Sequence, residues 1–103
     1  METPYTYCFI RKDLPHHYQI IQAAHATQEI TKECEHPDKT CHFILFEAKD
    51  ESDLTNIKMK LDVEGIVSHM FFEPDVNEYT SICCEPISGD HRKTFKRFKM
   101  FKG

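Results

Sequence analysis

No apolar run in this chain approaches the roughly 18 residues needed to span a bilayer, so no membrane partner is expected. The opening METPYTY has neither a basic start nor an apolar stretch, so it does not read as a secretory leader, and a cytoplasmic location is expected. There is no internal repeat, no low-complexity segment and no linker. The 103 residues therefore read as a single domain, with residues 1–4 as a short extension and 87–103 as a basic tail. Tryptophan is absent, and the aromatic bulk comes from eight Phe and four Tyr. The five cysteines are an odd number without metal-type spacing, which points to reduced thiols rather than a disulfide framework or a metal centre. No cofactor motif is present. A metal site built from His16, His17 and a cysteine is disfavoured, because no close ligand spacing supports it.

What the chain has is an uneven charge. The overall balance is −4, but residues 1–85 carry seven Lys/Arg against sixteen Asp/Glu, and residues 86–103 carry six Lys/Arg against Asp90 alone. A basic end on an acidic body is a candidate contact for anions or nucleic acid.

The stretch from Tyr7 to Glu29 organises the rest. Tyr7-Cys8-Phe9-Ile10 is aromatic and β-branched enough for a buried strand, placed at about Tyr5–Arg11. Leu14-Pro15 bends the chain, since proline lacks an N–H and drives the preceding residue to an extended conformation. His16 to Glu29 holds no Gly or Pro and three alanines, and a helix is expected over about His16–Glu33. Helical spacing would bury Ile20, Ala23, Ala24, Thr27 and Ile30. A second strand, Thr40–Ala48, is nearly continuous in apolar residues and so expected to be central. A second helix follows over Lys49–Leu61, capped by Asp50 or Ser52, with Leu54, Ile57 and Leu61 buried and Gly65 at its end. Ile66–Glu73 and Glu78–Glu85 are the last two strands, joined by the turn Pro74-Asp75-Val76-Asn77. Adjacent Cys83 and Cys84 would point to opposite faces of the last strand. The tail is a short basic helix or an arm that tucks Phe95, Phe98, Met100 and Phe101 onto the body. The expected fold is α/β: a small four-stranded mixed sheet in the order β-α-β-α-β-β, strands one to three parallel, the last antiparallel, with helices packed on it.

Ile10-Arg11-Lys12-Asp13-Leu14 resembles the hydrophobic-Arg-x-Asp-Leu motif of the type II peptidyl-tRNA hydrolases, the bacterial-archaeal-eukaryotic family. Gln22-Ala23-Ala24-His25-Ala26 resembles that family's Gln-x-Ala-His-Ala on helix one. Ala48-Lys49-Asp50-Glu51 with Leu54, and Gly65-Ile66, match its second helix start and third strand start. Phe72-Glu73-Pro74-Asp75 with Thr80 resembles its acid-containing turn, and also a shorter bacterial and phage branch of the superfamily. The likeness covers residues 5–86. One departure is local: the family's Gly-Lys-Gly-Lys type loop, which holds a lysine implicated in catalysis, is replaced by Pro15-His16-His17-Tyr18. Another is the family's Asp-Ala-Gly-Arg-Thr turn, compressed here to residues 75–80.

The resemblance implies cleavage of the ester between a peptide or amino acid and the terminal ribose of tRNA. That reaction needs a base to orient water and donors for the oxyanion. It assigns Asp75 to the water, with His16 or His17 standing in for the lysine. Arg11, Asp13, His25 and Thr80 would touch substrate, and Lys96 and Arg97 would meet tRNA phosphates. Each has a plain structural reading as well. Asp75 can be a turn former, Thr80 a strand residue, His16-His17 a solvated helix start and His25 a packing residue; Arg11 and Asp13 can pair with each other, and the tail can be a solvated face. The alternative function is a catalytically inactive member of the fold that binds protein, RNA or a nucleotide. Exposed tail phenylalanines and open strand edges also suggest a homodimer.

Overall fold

The computed structural model describes residues 2–103. Its elements follow the expected order: β1 (Tyr5–Arg11), α1 (His16–Ile30), β2 (His42–Ala48), α2 (Glu51–Val63), β3 (Ser68–Glu73), β4 (Glu78–Cys84), then a 3₁₀ segment over Gly89–Arg97. The four strands form one mixed sheet in the order β2-β1-β4-β3. β1 and β2 are parallel, and β4 runs antiparallel to both β1 and β3. Strands one to three therefore share a direction, as the crossover argument required. Their carboxyl ends lie at one end of the sheet, where β4 begins.

β1 is buried on both faces. Tyr7 and Phe9 join Phe46, Ile82, Leu54, Ile57 and Leu61 in the larger core beneath α2, while Cys8 joins Ala26, Ile30 and Cys83 under α1. The two helices thus cover opposite faces. Cys83 and Cys84 split between these two cores, as strand alternation demands. All five thiols are unpaired.

Two expectations are corrected. β2 is an edge strand, not a central one. Its apolar run is explained by the tail, which folds along the open edge: the Glu47 N–H donates to the Lys99 carbonyl at 2.9 Å, and the Phe101 N–H to Leu45 at 2.9 Å. Helix α1 ends at Ile30 rather than Glu33, and only part of the expected face turns inward: Ile30 is buried, and Ala23 and Thr27 are half-buried against the sheet. Ile20 is 73% exposed and Ala24 is exposed, while Gln19 and Gln22 are buried. Apolar spacing misplaced these four positions because it cannot see that the Gln22 amide finds buried hydrogen-bond partners and the Gln19 amide reaches the Lys12 and Leu14 carbonyls.

The helix ends obey local rules. The Asp50 carboxylate caps α2 by accepting from the Asp53 N–H at 2.9 Å, and Asp53 accepts in return from the Lys49 N–H at 2.8 Å. Gly65, at φ +73°, closes the helix. Asn77, at φ +57°, turns the 74–77 hairpin through the left-handed region that asparagine tolerates. Phe95 is pinned by stacking on Tyr7, with ring centroids 3.8 Å apart. No helix among the described residues is long and apolar enough to cross a membrane, and none of their side chains gather into a metal-holding group.

Candidate functional site

The carboxyl end of the sheet is divided in two. Off β1 and β2, Lys12 and Lys49 follow their strands directly, and the tail brings Arg97 and Lys99 alongside. These four, with Lys60 of α2, line a groove of about 200 Å³ that also holds Glu47 and Asp53. Lys12, Glu47 and Lys99 continue into a second depression of about 330 Å³, with His16, Gln19, Phe101 and Lys102. Six of the chain's thirteen Lys/Arg thus border one continuous surface, against two carboxylates. Glu47 is the internal acid of this surface. Its side chain is only 10% exposed, and it lies 3.5 Å from the Lys12 ammonium and 3.4 Å from that of Lys99. Burial pushes its carboxyl up, but the two lysines outweigh that and hold it below the usual carboxylate range.

At the middle of the sheet end, Arg11 is committed. Its Nε and Nη2 grip Asp13 in a bidentate pair at 3.0 and 2.8 Å, and its Nη1 donates to Glu78 at 2.9 Å and to the Tyr79 carbonyl at 3.0 Å. The Asp13 hydrogen bonds raise the Arg11 pKa further, and the guanidinium lowers that of Asp13. This pairing is the plain structural reading of both residues. It fastens the β1 exit to the first residues of β4.

Off β3 lies a buried polar network. Gln22 Nε2 donates to Glu73 at 2.8 Å, and Thr80 Oγ1 donates to Gln22 Oε1 at 2.6 Å. The Ser81 hydroxyl donates to the Gln22 carbonyl at 2.7 Å. Gln22 thus turns its NH₂ to Glu73 and its oxygen to Thr80, whose hydroxyl donates to it. A β-bulge makes this geometry. Phe71 pairs with Ser81 and Phe72 with Tyr79, which leaves Thr80 as an extra residue, and both it and Ser81 aim at α1. Glu73 also accepts from the Asp75 N–H at 3.4 Å. His25 packs on Phe71 at 4.9 Å, with its Nδ1 buried 3.8 Å from Glu73 and without a hydrogen bond. Burial and the charges of Glu73 and Asp75 raise the Tyr18 pKa.

The residues singled out from sequence fall into separate groups: Thr80, His25 and Asp75 gather around Gln22 and Glu73, Arg11 pairs with Asp13, and His16 and His17 join neither group. Asp75 is exposed beside Glu73 and Tyr18, off the β3 edge. Thr80 is fully buried, so its hydroxyl faces Gln22 rather than a ligand. His16 borders the basic groove off the opposite edge, and His17 is exposed at the helix start. No hydrogen bond or ion pair joins either histidine to Asp75 among the described residues. Arg97 lines the groove and lies 3.7 Å from Glu64, while Lys96 faces a separate groove on the α2 side. Lys12, Lys49 and Lys60 were not singled out from sequence, and Lys99 was expected to act only as one of the basic tail residues. The one signal for them was that Lys12 and Lys49 each immediately follow a strand, where open α/β sheets bind ligands. Gln22 and Glu73 stood inside the quoted motifs without an assigned role.

No family model matches this sequence, and no curated protein does. Among solved structures, a protein of unknown function from Agrobacterium tumefaciens is similar over 99% of this chain and 100% of its own, with a TM-score of 0.69 and 12% sequence identity. The two share a fold. At that identity the likeness carries no residue roles.

Proposed function

We propose that this chain is a type II peptidyl-tRNA hydrolase-like protein that binds tRNA phosphates along the Lys12–Lys99 groove. The observation that carries the reading is the convergence of six cations on one surface of a chain that is acidic overall. Phosphodiester backbones are held by such clusters through displacement of condensed counterions. The groove lies at the carboxyl ends of β1 and β2, beside the Arg-x-Asp-Leu segment that carries the resemblance. Ester cleavage, in this reading, falls to Asp75, with Glu73 and Tyr18 beside it.

A second reading, binding without hydrolysis, is favoured by one observation. The groove lies off β1 and β2 and Asp75 off β3, so two strand spacings separate Lys12 from the aspartate's strand and three separate Lys49 from it, or about 10 and 14 Å at about 4.8 Å per strand. His16 shares the groove, not the aspartate. The deciding experiment measures a labelled peptidyl-tRNA in two ways, by retention of the complex on a filter and by release of the peptide. Retention lost on Lys12→Glu with Lys99→Glu supports the groove. Release abolished by Asp75→Ala supports the hydrolase, and retention without release supports the second reading. Neither retention nor release from a folded sample rejects both.

A further inference from the structure

On the face covered by α2, a second groove of about 430 Å³ opens between β2 and the tail. That volume lies in the range of small-molecule sites. Its outer wall is apolar: Met100 is 51% exposed, and Ile44 and Phe98 are half-buried beside it. Its rim is cationic, formed by Arg92, Lys93 and Lys96.

The rim is built unevenly, and the unevenness matters. The Arg92 guanidinium lies over the Tyr5 ring, 3.6 Å from its centroid, and its Nε donates to the Tyr7 hydroxyl at 3.0 Å. Those two contacts fix its orientation; its terminal nitrogens make no hydrogen bond or ion pair among the described residues, and the carboxylate charge that acts on it is that of the exposed Glu2. Lys96 makes no ion pair among the described residues. Lys93 is held only at 3.6 Å by Asp90, whose side chain is 97% exposed, an arrangement worth little in water. A pre-oriented guanidinium, a free ammonium and an exposed apolar wall suit one ligand chemistry: an apolar body with a single anionic head. A neutral apolar ligand would leave the rim unused, and a bare phosphate would leave the wall unused.

We propose that this groove binds a small amphipathic carboxylate, its apolar body against Ile44, Phe98 and Met100 and its carboxylate between Arg92 and Lys96. The site meets the Lys12–Lys99 groove only at Phe98, which lines both, shares none of its cations, and stands or falls independently of the tRNA reading.

The test titrates 2-naphthoate and, separately, the isosteric neutral 2-naphthamide into isotopically labelled protein and follows the amide resonances. Saturable shifts for naphthoate centred on Ile44, Lys96 and Met100 are expected. Affinity should fall about tenfold, the equivalent of about 1.4 kcal/mol, for naphthamide and for Lys96→Glu. Met100→Glu, another exposed position, should weaken naphthoate similarly by opposing both halves of the ligand. No saturable binding at millimolar ligand, shifts centred elsewhere, or equal affinity for the amide overturns the proposal. An unchanged affinity in folded Lys96→Glu overturns it as well.

Discussion

The Lys99 ammonium stands 3.4 Å from the Glu47 carboxylate, and the backbone of the same two residues is joined by the Glu47 N–H to Lys99 carbonyl bond at 2.9 Å. The tail is therefore fastened to β2 at this point by main chain and side chain together. The acid that fastens it also holds two of the groove's lysines. A group that neutralises cations in the empty groove competes with any anion that enters it.

Glu47→Gln should thus strengthen binding of a polyanion while weakening the fold. Removing the charge frees Lys12 and Lys99, and affinity for a labelled tRNA should rise severalfold at low salt. The loss of two partly exposed ion pairs should cost about 1 kcal/mol. Filter retention and urea denaturation read the two effects separately. Weaker retention in Glu47→Gln would show that Glu47 positions the lysines rather than competing for them.

The same carboxylate gives a pH dependence. Its pKa is lowered in the folded chain, so its contribution is present above the ordinary carboxylate value of about 4.3 and is lost as pH falls through the lower folded value. Asp13, lowered by Arg11, acts in the same direction. Wild-type stability should therefore drop between about pH 5 and 2, and the slope should be shallower in Glu47→Gln. Thermal melts across that range check the sign. A slope unchanged by the substitution would remove Glu47 from the account.

Reversing Lys12 and Lys99 together should weaken tRNA retention and reduce its dependence on salt. Each phosphate contact contributes about 0.9 to the slope of log affinity against log salt concentration on a duplex, and about 0.7 on a single strand. Loss of two contacts should lower the slope magnitude by about 1.4 to 1.8. Reversing Lys93, which lies outside this groove, is the control and should leave the slope unchanged.

The sequence showed the elements well and the site poorly, for separable reasons. β1, the 74–77 hairpin and α2 were legible because their signals are local: an aromatic and β-branched run, Pro and Asn turn chemistry, an Asp cap and a glycine stop. The inward face of α1 was legible only in part, at Ala23, Thr27 and Ile30. Periodicity takes apolar residues as the buried ones, and here Gln22 is buried by partners on strands far along the chain, Glu73 and Thr80. The basic groove was hidden for a related reason. Lys12, Lys49, Lys60 and Lys99 come from four separate segments, and only the position of the tail against the β2 edge brings them together. The tail's positive charge was visible, but what it would lie beside was not.

The buried network off β3 makes the last prediction, and it separates the two oxygens that Gln22 connects. Thr80→Val removes one donor and leaves Gln22 Oε1 without its hydrogen bond, at a cost of about 1 to 2 kcal/mol. Gln22→Ala does more. It strips the amide from Glu73, a residue only 8% exposed, deprives Thr80 of its acceptor, and opens a gap under a helix that is otherwise thinly packed with apolar side chains there. That should cost about 3 kcal/mol. Urea denaturation of the two single variants and the double variant gives the coupling between them. The double variant should cost less than the two singles added, because Thr80→Val has nothing left to break once Gln22 is gone. Additive costs would mean that the threonine hydroxyl and the glutamine amide stabilise the fold independently. Thr80 would then be only a strand residue, and the bulge that turns it toward α1 would have no role in holding Glu73 at the foot of the Asp75 turn.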